Sequence, residues 1–260
     1  MIILFLSSGL LLGWSLGAND AANVFGSAVG SKMVSFRQAA IISSIFVIIG
    51  SVVQGTGASD TLGRLGAVNA IGGSFTVALA AAIVVFMMTK FALPVSTTQA
   101  IVGAIIGWNL FTGNPTDATT LTNILSTWVS GPVLGAVFAV ILYILLKTVK
   151  RKSAIHLVRF ESYIRTGLII VGAFGAYSLG ANNIANVMGV FVPAFNLHPL
   201  DLKLFTLSSQ QQLFLLGSLA IAAGIITYSR RVMEQVGNNI MELSSESALV
   251  VVLSQALVLF

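Results

Sequence analysis

The side chains that could do chemistry in this chain fall in three short stretches. GANDAAN (Gly17–Asn23) and GANNIAN (Gly180–Asn186) set amides, and in the first an acid, within one or two helical turns. LPVSTTQ (Leu93–Gln99) sets three hydroxyls and an amide in a row behind a proline. Carboxylate and amide oxygens are hard ligands that suit a small cation such as Na+. Hydroxyls at the start of a helix join the free backbone N–H groups and the positive end of the dipole, a combination that holds an anion. No lysine or arginine lies inside any of the three stretches. A bound anion would then draw its compensating charge from a cation held at Asp20 and the asparagines, each ion lowering the cost of burying the other. That is the physical logic of cation–anion symport.

Local propensities predict how these side chains are held. Gly17 and Gly26 weaken a helix at either end of the first cluster, and Asn and Asp compete for backbone hydrogen bonds. A break there would free carbonyls as further cation ligands, as in broken-helix transporters. If the stretch is helical instead, Asn19 and Asn23 share one face beside Asp20. A carboxylate at membrane depth costs at least ~2.5 kcal/mol on insertion scales and marks function by default. The bland alternative is that the asparagines glue helices together. Pro94 cannot continue a helix from Ala92 but suits the start of a new one, so Ser96, Thr97, Thr98 and Gln99 are predicted near a helix N-terminus. Simple N-capping would need one of those hydroxyls, not three. Gly13, Gly17, Gly26 and Gly30 read as small-residue packing, and Glu161 and Arg165 as an i,i+4 ion pair.

The elements that must position these groups follow from composition. The 260 residues are 56% hydrophobic and 8% charged, against roughly 25% charged in a soluble domain. Eight stretches without Asp, Glu, Lys or Arg run at 1–19, 38–59, 65–89, 91–116, 118–146, 166–200, 204–229 and 247–260. A spanning helix needs about 20 apolar residues, and lipid forces the backbone to satisfy itself. The chain therefore reads as an all-α, polytopic membrane protein placed in the cell membrane. The N-terminal run lacks a positive n-region and is read as a retained helix, not a signal peptide. The net charge of +5 gathers in Lys147, Lys150, Arg151, Lys152 and Arg159 between apolar runs. That is a positive-inside signature and not a nucleic-acid site. With no cysteine and only His156 and His198, thiolate and histidine metal centres are excluded. No nucleophile–base constellation, P-loop or HExxH supports an enzyme, and no cofactor is implied.

Trp14–Gly26 and Tyr177–Gly189 agree at nine of thirteen positions, which points to an internal duplication. The first unit is assigned to 1–146, a basic cytoplasmic linker to 147–160 and a second unit to 161–260. Five apolar segments are expected in the first unit, at 1–18, 39–55, 74–90, 94–111 and 122–146, and an odd number of crossings inverts the second. Segment 248–260 answers to 74–90, so the second unit reads as C-terminally incomplete.

The combined motifs GANDAANVFG (17–26), PVSTTQ (94–99) and GANNIANVMG (180–189) resemble the inorganic phosphate transporters of the PiT family. The resemblance implies an inverted-repeat transporter with broken or re-entrant helices, which moves inorganic phosphate with Na+ by alternating access. Carried over, it implies phosphate at Asp20, Ser96, Thr97, Thr98 and Asn183. It implies Na+ at Asn19, Asp20, Asn23, Gln99, Asn182 and Asn186. Phosphate is then the substrate, Na+ the coupling ion and lipid the surroundings, with a homodimer compatible with this reading. The family's second repeat often has Asp where this chain has Asn183. A proton-coupled phosphate permease, a sulfate or other oxyanion permease, and an anion channel stay open as alternatives.

Overall fold

Two long helices carry the duplicated motifs through the middle of the molecule. The computed structural model describes residues 2–65, 68, 71–152, 156–195, 197–201, 206–240 and 244–259. In chain order these form α1 (Ile2–Gly30), α2 (Phe36–Gln54), α3 (Thr56–Leu65), α4 (Ile71–Lys90), α5 (Thr97–Thr112), α6 (Ala118–Lys152) and α7 (Leu157–Met188). A 3₁₀ stretch (Gly189–Ala194) and a small hairpin, β1 (Leu200–Asp201) with β2 (Thr206–Leu207), follow. The chain continues through α8 (Ser209–Tyr228), α9 (Arg230–Glu234), a π-helical stretch (Gln235–Ile240) and α10 (Ser245–Leu259). Among the described residues, five helices are long and apolar enough to cross a membrane: Phe36–Gln54, Ile71–Lys90, Ala118–Arg151, Arg159–Ala194 and Ser209–Tyr228. At ~1.5 Å per residue, the 29-residue α1 is about 43 Å long and also reaches across a bilayer. The protein is an all-α, multi-pass membrane protein.

The segment boundaries are instructive at two places. Of the two readings left open for GANDAAN, the helical one holds: α1 runs unbroken from Ile2 to Gly30, and GANNIAN likewise lies within α7. The glycines that suggested a break are contact points. A Cβ on Gly17 would lie 1.9 Å from the Ile221 carbonyl oxygen, and one on Gly180 would lie 2.2 Å from the Val47 carbonyl oxygen. Glycine costs a helix about 1 kcal/mol relative to alanine, and here close helix crossing offsets that cost, as small residues do in membranes. The basic cluster is also helical. α6 runs on to Lys152, so Lys147, Lys150 and Arg151 sit on its last turns, and α7 begins at Leu157. Glu161 and Arg165 form no ion pair; the described ion pairs are Lys150–Glu246, which ties α6 to α10, and Arg230–Glu234. Both Glu161 and Arg165 are exposed, where such a pair gains little.

The packing exchanges partners between the two halves. α1 lies against α4 and α8, while α7 lies against α10 and α2. The crossings match residue by residue. A Cβ on Gly224 would meet the Trp14 carbonyl at 1.9 Å, and a Cβ on Gly50 would meet the Tyr177 carbonyl at 2.0 Å; Trp14 and Tyr177 are equivalent in the sequence alignment. Each of those two aromatics also hydrogen-bonds the helix it crosses. Trp14 Nε1 donates to Thr227 Oγ1 (3.0 Å), and Tyr177 Oη donates to Gln54 Oε1 (3.0 Å). α2 and α8 open with the same device, a capping box at Ser35/Gln38 and at Ser208/Gln211, which satisfies two first-turn groups reciprocally. Leu12, Leu16, Phe25, Ile184, Met188 and Phe214 fill the space between the crossing pairs and are fully buried.

Gly17→Ala and Gly180→Ala each force a crossing apart and should destabilise the protein by about 1–3 kcal/mol. Gly103→Ala meets open space and should be neutral or gain up to about 1 kcal/mol. Thermal unfolding of the detergent-solubilised variants, followed by static light scattering, checks the contrast.

Candidate functional site

The interruption in the fold lies between α4 and α5, at residues 91–96. α4 closes with the Leu93 N–H donating to the Met88 carbonyl (3.0 Å) and the Ala92 N–H donating to the Thr89 carbonyl (2.9 Å). This is the paired bonding of a Schellman motif. Ala92 takes the left-handed conformation, φ 56°, that such a motif usually gives to glycine. Pro94 prevents the helix from resuming, so the Leu93 carbonyl and the Val95 N–H have no helical partner. Asn19 supplies both. Its Nδ2 donates to the Leu93 carbonyl (2.9 Å) and to Thr89 Oγ1 (3.0 Å), while its Oδ1 accepts from the Val95 N–H (2.9 Å). One fully buried amide on α1 thus fastens the break.

Once fastened, the break presents its hydroxyls in three different states. Ser96 is the N-cap of α5 and accepts from the Gln99 N–H (3.2 Å), the simple capping role expected of one hydroxyl. Thr98 Oγ1 accepts from Asn186 Nδ2 on α7 (2.9 Å), and the same Nδ2 donates to Asn183 Oδ1 (2.9 Å). Thr97 Oγ1 is buried with no hydrogen-bond partner. The N–H groups of Thr97 and Thr98, in the first turn of α5, have no helical acceptor. Asp20 lies close by. It is 5% exposed, and its Oδ1 is also buried without a partner. The Thr97 hydroxyl is within electrostatic reach of that carboxyl but makes no hydrogen bond of ordinary geometry to it.

These groups meet in a chamber of about 360 Å³. Asp20, Asn23 and Val24 of α1, Pro94–Thr98, Leu179 and Asn183 of α7, and Gln255 of α10 line it. Its walls carry no lysine or arginine. A larger cavity of about 620 Å³ between α2 and α7 is walled almost wholly by apolar side chains such as Ile42, Phe46 and Phe174, and offers an ion nothing.

The structure brings together most, but not all, of the residues that the sequence singled out. Asp20, Asn23, Ser96, Thr97, Thr98 and Asn183 line the chamber, and Asn186 is bonded to two of them. Asn19 is absent from the lining, because its amide is committed to the break. Gln99 is exposed and lies outside the lining. Asn182 faces a separate cavity of about 450 Å³, with Gln54, Thr56, Tyr177 and Ser178. The reason is angular: adjacent helix positions point about 100° apart, so Asn182 and Asn183 cannot share a face. Gln255 escaped the sequence reading because it stands alone in an apolar run; the signal was a single amide on the helix that answers to α4.

An all-α membrane protein with a polar chamber built from helix-borne amides, an acid and a helix N-terminus is suited to passing a small polar solute across the bilayer. The phosphate transporter family, PHO4, matches residues 16–260, and the chain belongs to that family. Among relatives, a protein of Pyrococcus horikoshii named as a phosphate permease is 26% identical over 333 residues, spanning 99% of this chain and 82% of that one. A phosphate permease by name from Methanocaldococcus jannaschii is 29% identical over 242 residues, spanning 93% of this chain and 71% of that one. Sodium-dependent phosphate transporter 1 of Mus musculus is 31% identical over 178 residues, spanning 64% of this chain and 25% of that one. A solved structure titled "The sodium-dependent phosphate transporter" shares the fold at a TM-score of 0.79 and 23% identity, over 99% of this chain and 83% of that one.

Asn19→Leu would leave the Val95 N–H and the Leu93 carbonyl unpaired, at a cost of about 1–3 kcal/mol each. A lowered unfolding temperature should accompany the loss of transport. Ala92→Gly relieves the left-handed backbone and should raise stability by about 1 kcal/mol. Paired thermal-shift measurements on the two variants check both directions.

Proposed function

We propose that this chain moves inorganic phosphate across the membrane coupled to Na+, by alternating access to the chamber at the α4–α5 break. The observation that carries this reading is the pair of orphaned oxygens, Asp20 Oδ1 and Thr97 Oγ1, buried beside a chamber without a basic side chain. A buried carboxylate with no cationic partner is costly. A Na+ ion held by Asp20 and Asn23, with the asparagine pair Asn183 and Asn186 nearby, removes that cost. Phosphate then takes the Thr97 and Thr98 N–H groups, the Thr97 hydroxyl and the Ser96 and Asn183 side chains. The cation supplies the charge that a fixed lysine would otherwise supply. Once the cation departs, the anion loses its compensation and follows.

Asn19 is read here as a positioning residue and not as an ion ligand, because its donors and one acceptor position are taken by the break. Asn182 and Gln99 stand outside the chamber and are given no ligand role in this reading. The Asn186–Thr98 hydrogen bond links α7 to α5 beside the site, so movement between the two halves must exchange it. The matched glycine crossings support two copies, 1–146 and 161–260, joined through 147–160; inversion of the second requires an odd number of crossings in the first, to which the short α5 must contribute. Rocking of one copy against the other about the chamber is the motion this arrangement suits.

Uptake of labelled phosphate into proteoliposomes, with sodium and pH varied independently, tests the proposal. Wild-type uptake should require an inward sodium gradient, and unlabelled sulfate should compete poorly. Asp20→Asn should abolish sodium-driven uptake while leaving the protein monodisperse. Uptake that persists without sodium but follows a proton gradient would change the coupling ion; conduction with no gradient requirement would make the protein a channel.

A further inference from the structure

We propose that Gln255 on α10 is a substrate-contacting residue of the chamber, donating its side-chain N–H to the bound oxyanion and so helping to set affinity for it. This inference rests on the phosphate reading above. The donors that the break offers all come from one side, the first turn of α5. A tetrahedral oxyanion presents oxygens in every direction, and a chamber without lysine or arginine must meet the far ones with neutral donors. On the opposite side, Asn183 commits one Nδ2 hydrogen to the Leu179 carbonyl (3.1 Å) and its Oδ1 accepts from Asn186, which leaves it a single N–H for the anion. The amide of Gln255 makes no hydrogen bond to any described residue and is half-buried in the chamber wall.

The surroundings of Gln255 decide which way that amide is useful. The same side chain also borders a groove of about 420 Å³ between α10 and α6. Gly131, Pro132, Gly135, Ala139, Val251 and Val258 line that groove, which is almost wholly apolar. An amide turned toward such a groove loses its water with no hydrogen bond in return. Turned into the chamber, it meets the groups that hold the ions. Gln255 is the residue at which the polar space ends and the lipid-facing groove begins.

The experiment measures equilibrium binding of radiolabelled inorganic phosphate to purified full-length protein, at saturating sodium and across a sodium titration. Gln255→Leu removes the donor and should weaken phosphate roughly 10- to 100-fold, the range of a hydrogen bond to a charged group. Gln255→Glu keeps the size but adds negative charge, and should weaken phosphate at least as much. Gln255→Asn should recover part of the affinity. In Gln255→Leu and Gln255→Asn, the sodium concentration for half-maximal effect at saturating phosphate should stay at its wild-type value. A shift in that sodium midpoint with phosphate affinity unchanged would make Gln255 a cation ligand and overturn the proposal. Unaltered binding in Gln255→Leu and Gln255→Glu would overturn it too, while a wild-type protein that binds no phosphate would sink the functional reading itself.

Discussion

The structure depends on satisfying two backbone groups at the break between α4 and α5. Pro94 stops the chain from carrying one helix through from α4 to α5, and in lipid an unpaired carbonyl or N–H is costly. Asn19 meets that need from another helix, with one amide bonded to both sides of the gap. Everything at the chamber follows from this. The free N–H groups of α5 point at a fixed place because the break is fixed, and the next residue of α1, Asp20, lies at that place because Asn19 anchors its helix there. The motif couples scaffold and chemistry in consecutive positions, so neither can move without the other.

Much of the fold was legible because lipid simplifies the code. Long uncharged runs must be helices, and α2, α4 and α5 appear within a few residues of the expected segments. The site was legible in its residue types: Asp20, Asn23, Thr97, Thr98 and Asn183 do converge. Local propensity could not choose between a broken and a continuous helix at Gly17–Asn23. Gly17 and Asn19 lower helix propensity, yet tertiary packing overrides it, since Gly17 admits the α8 backbone and Asn19 bonds elsewhere. Propensity is a weak prior against such contacts. The division of labour between adjacent asparagines was also out of reach, because it depends on which face of α7 meets which neighbour. Gln255 was hidden for the opposite reason, as an isolated polar residue that no motif flags.

The two halves are interlocked more than juxtaposed. α1 crosses α8, and α7 crosses α2, through matched glycines that bring backbones into contact. Neither motif helix therefore completes its packing within its own half. The tight crossings are backbone-on-backbone and rigid, whereas the contacts at the chamber are single hydrogen bonds such as Asn186 to Thr98. Rearrangement should concentrate where the bonds are few and exchangeable, and spare the crossings.

α6 stands apart from this interlocking. It is the longest helix among the described residues, yet none of its apolar spanning window is buried inside the protein. It is held by the shallow groove against α10, a smaller contact with α3, a few partly buried side chains such as Trp128 and Leu146, and the Lys150–Glu246 pair at its end. Its transmembrane placement is thus dictated by partition into hydrocarbon, independently of whether the remaining helices have assembled. It is an outrigger: a spar that enters the bilayer on its own apolarity, then tethers the later half of the chain to the earlier one from outside.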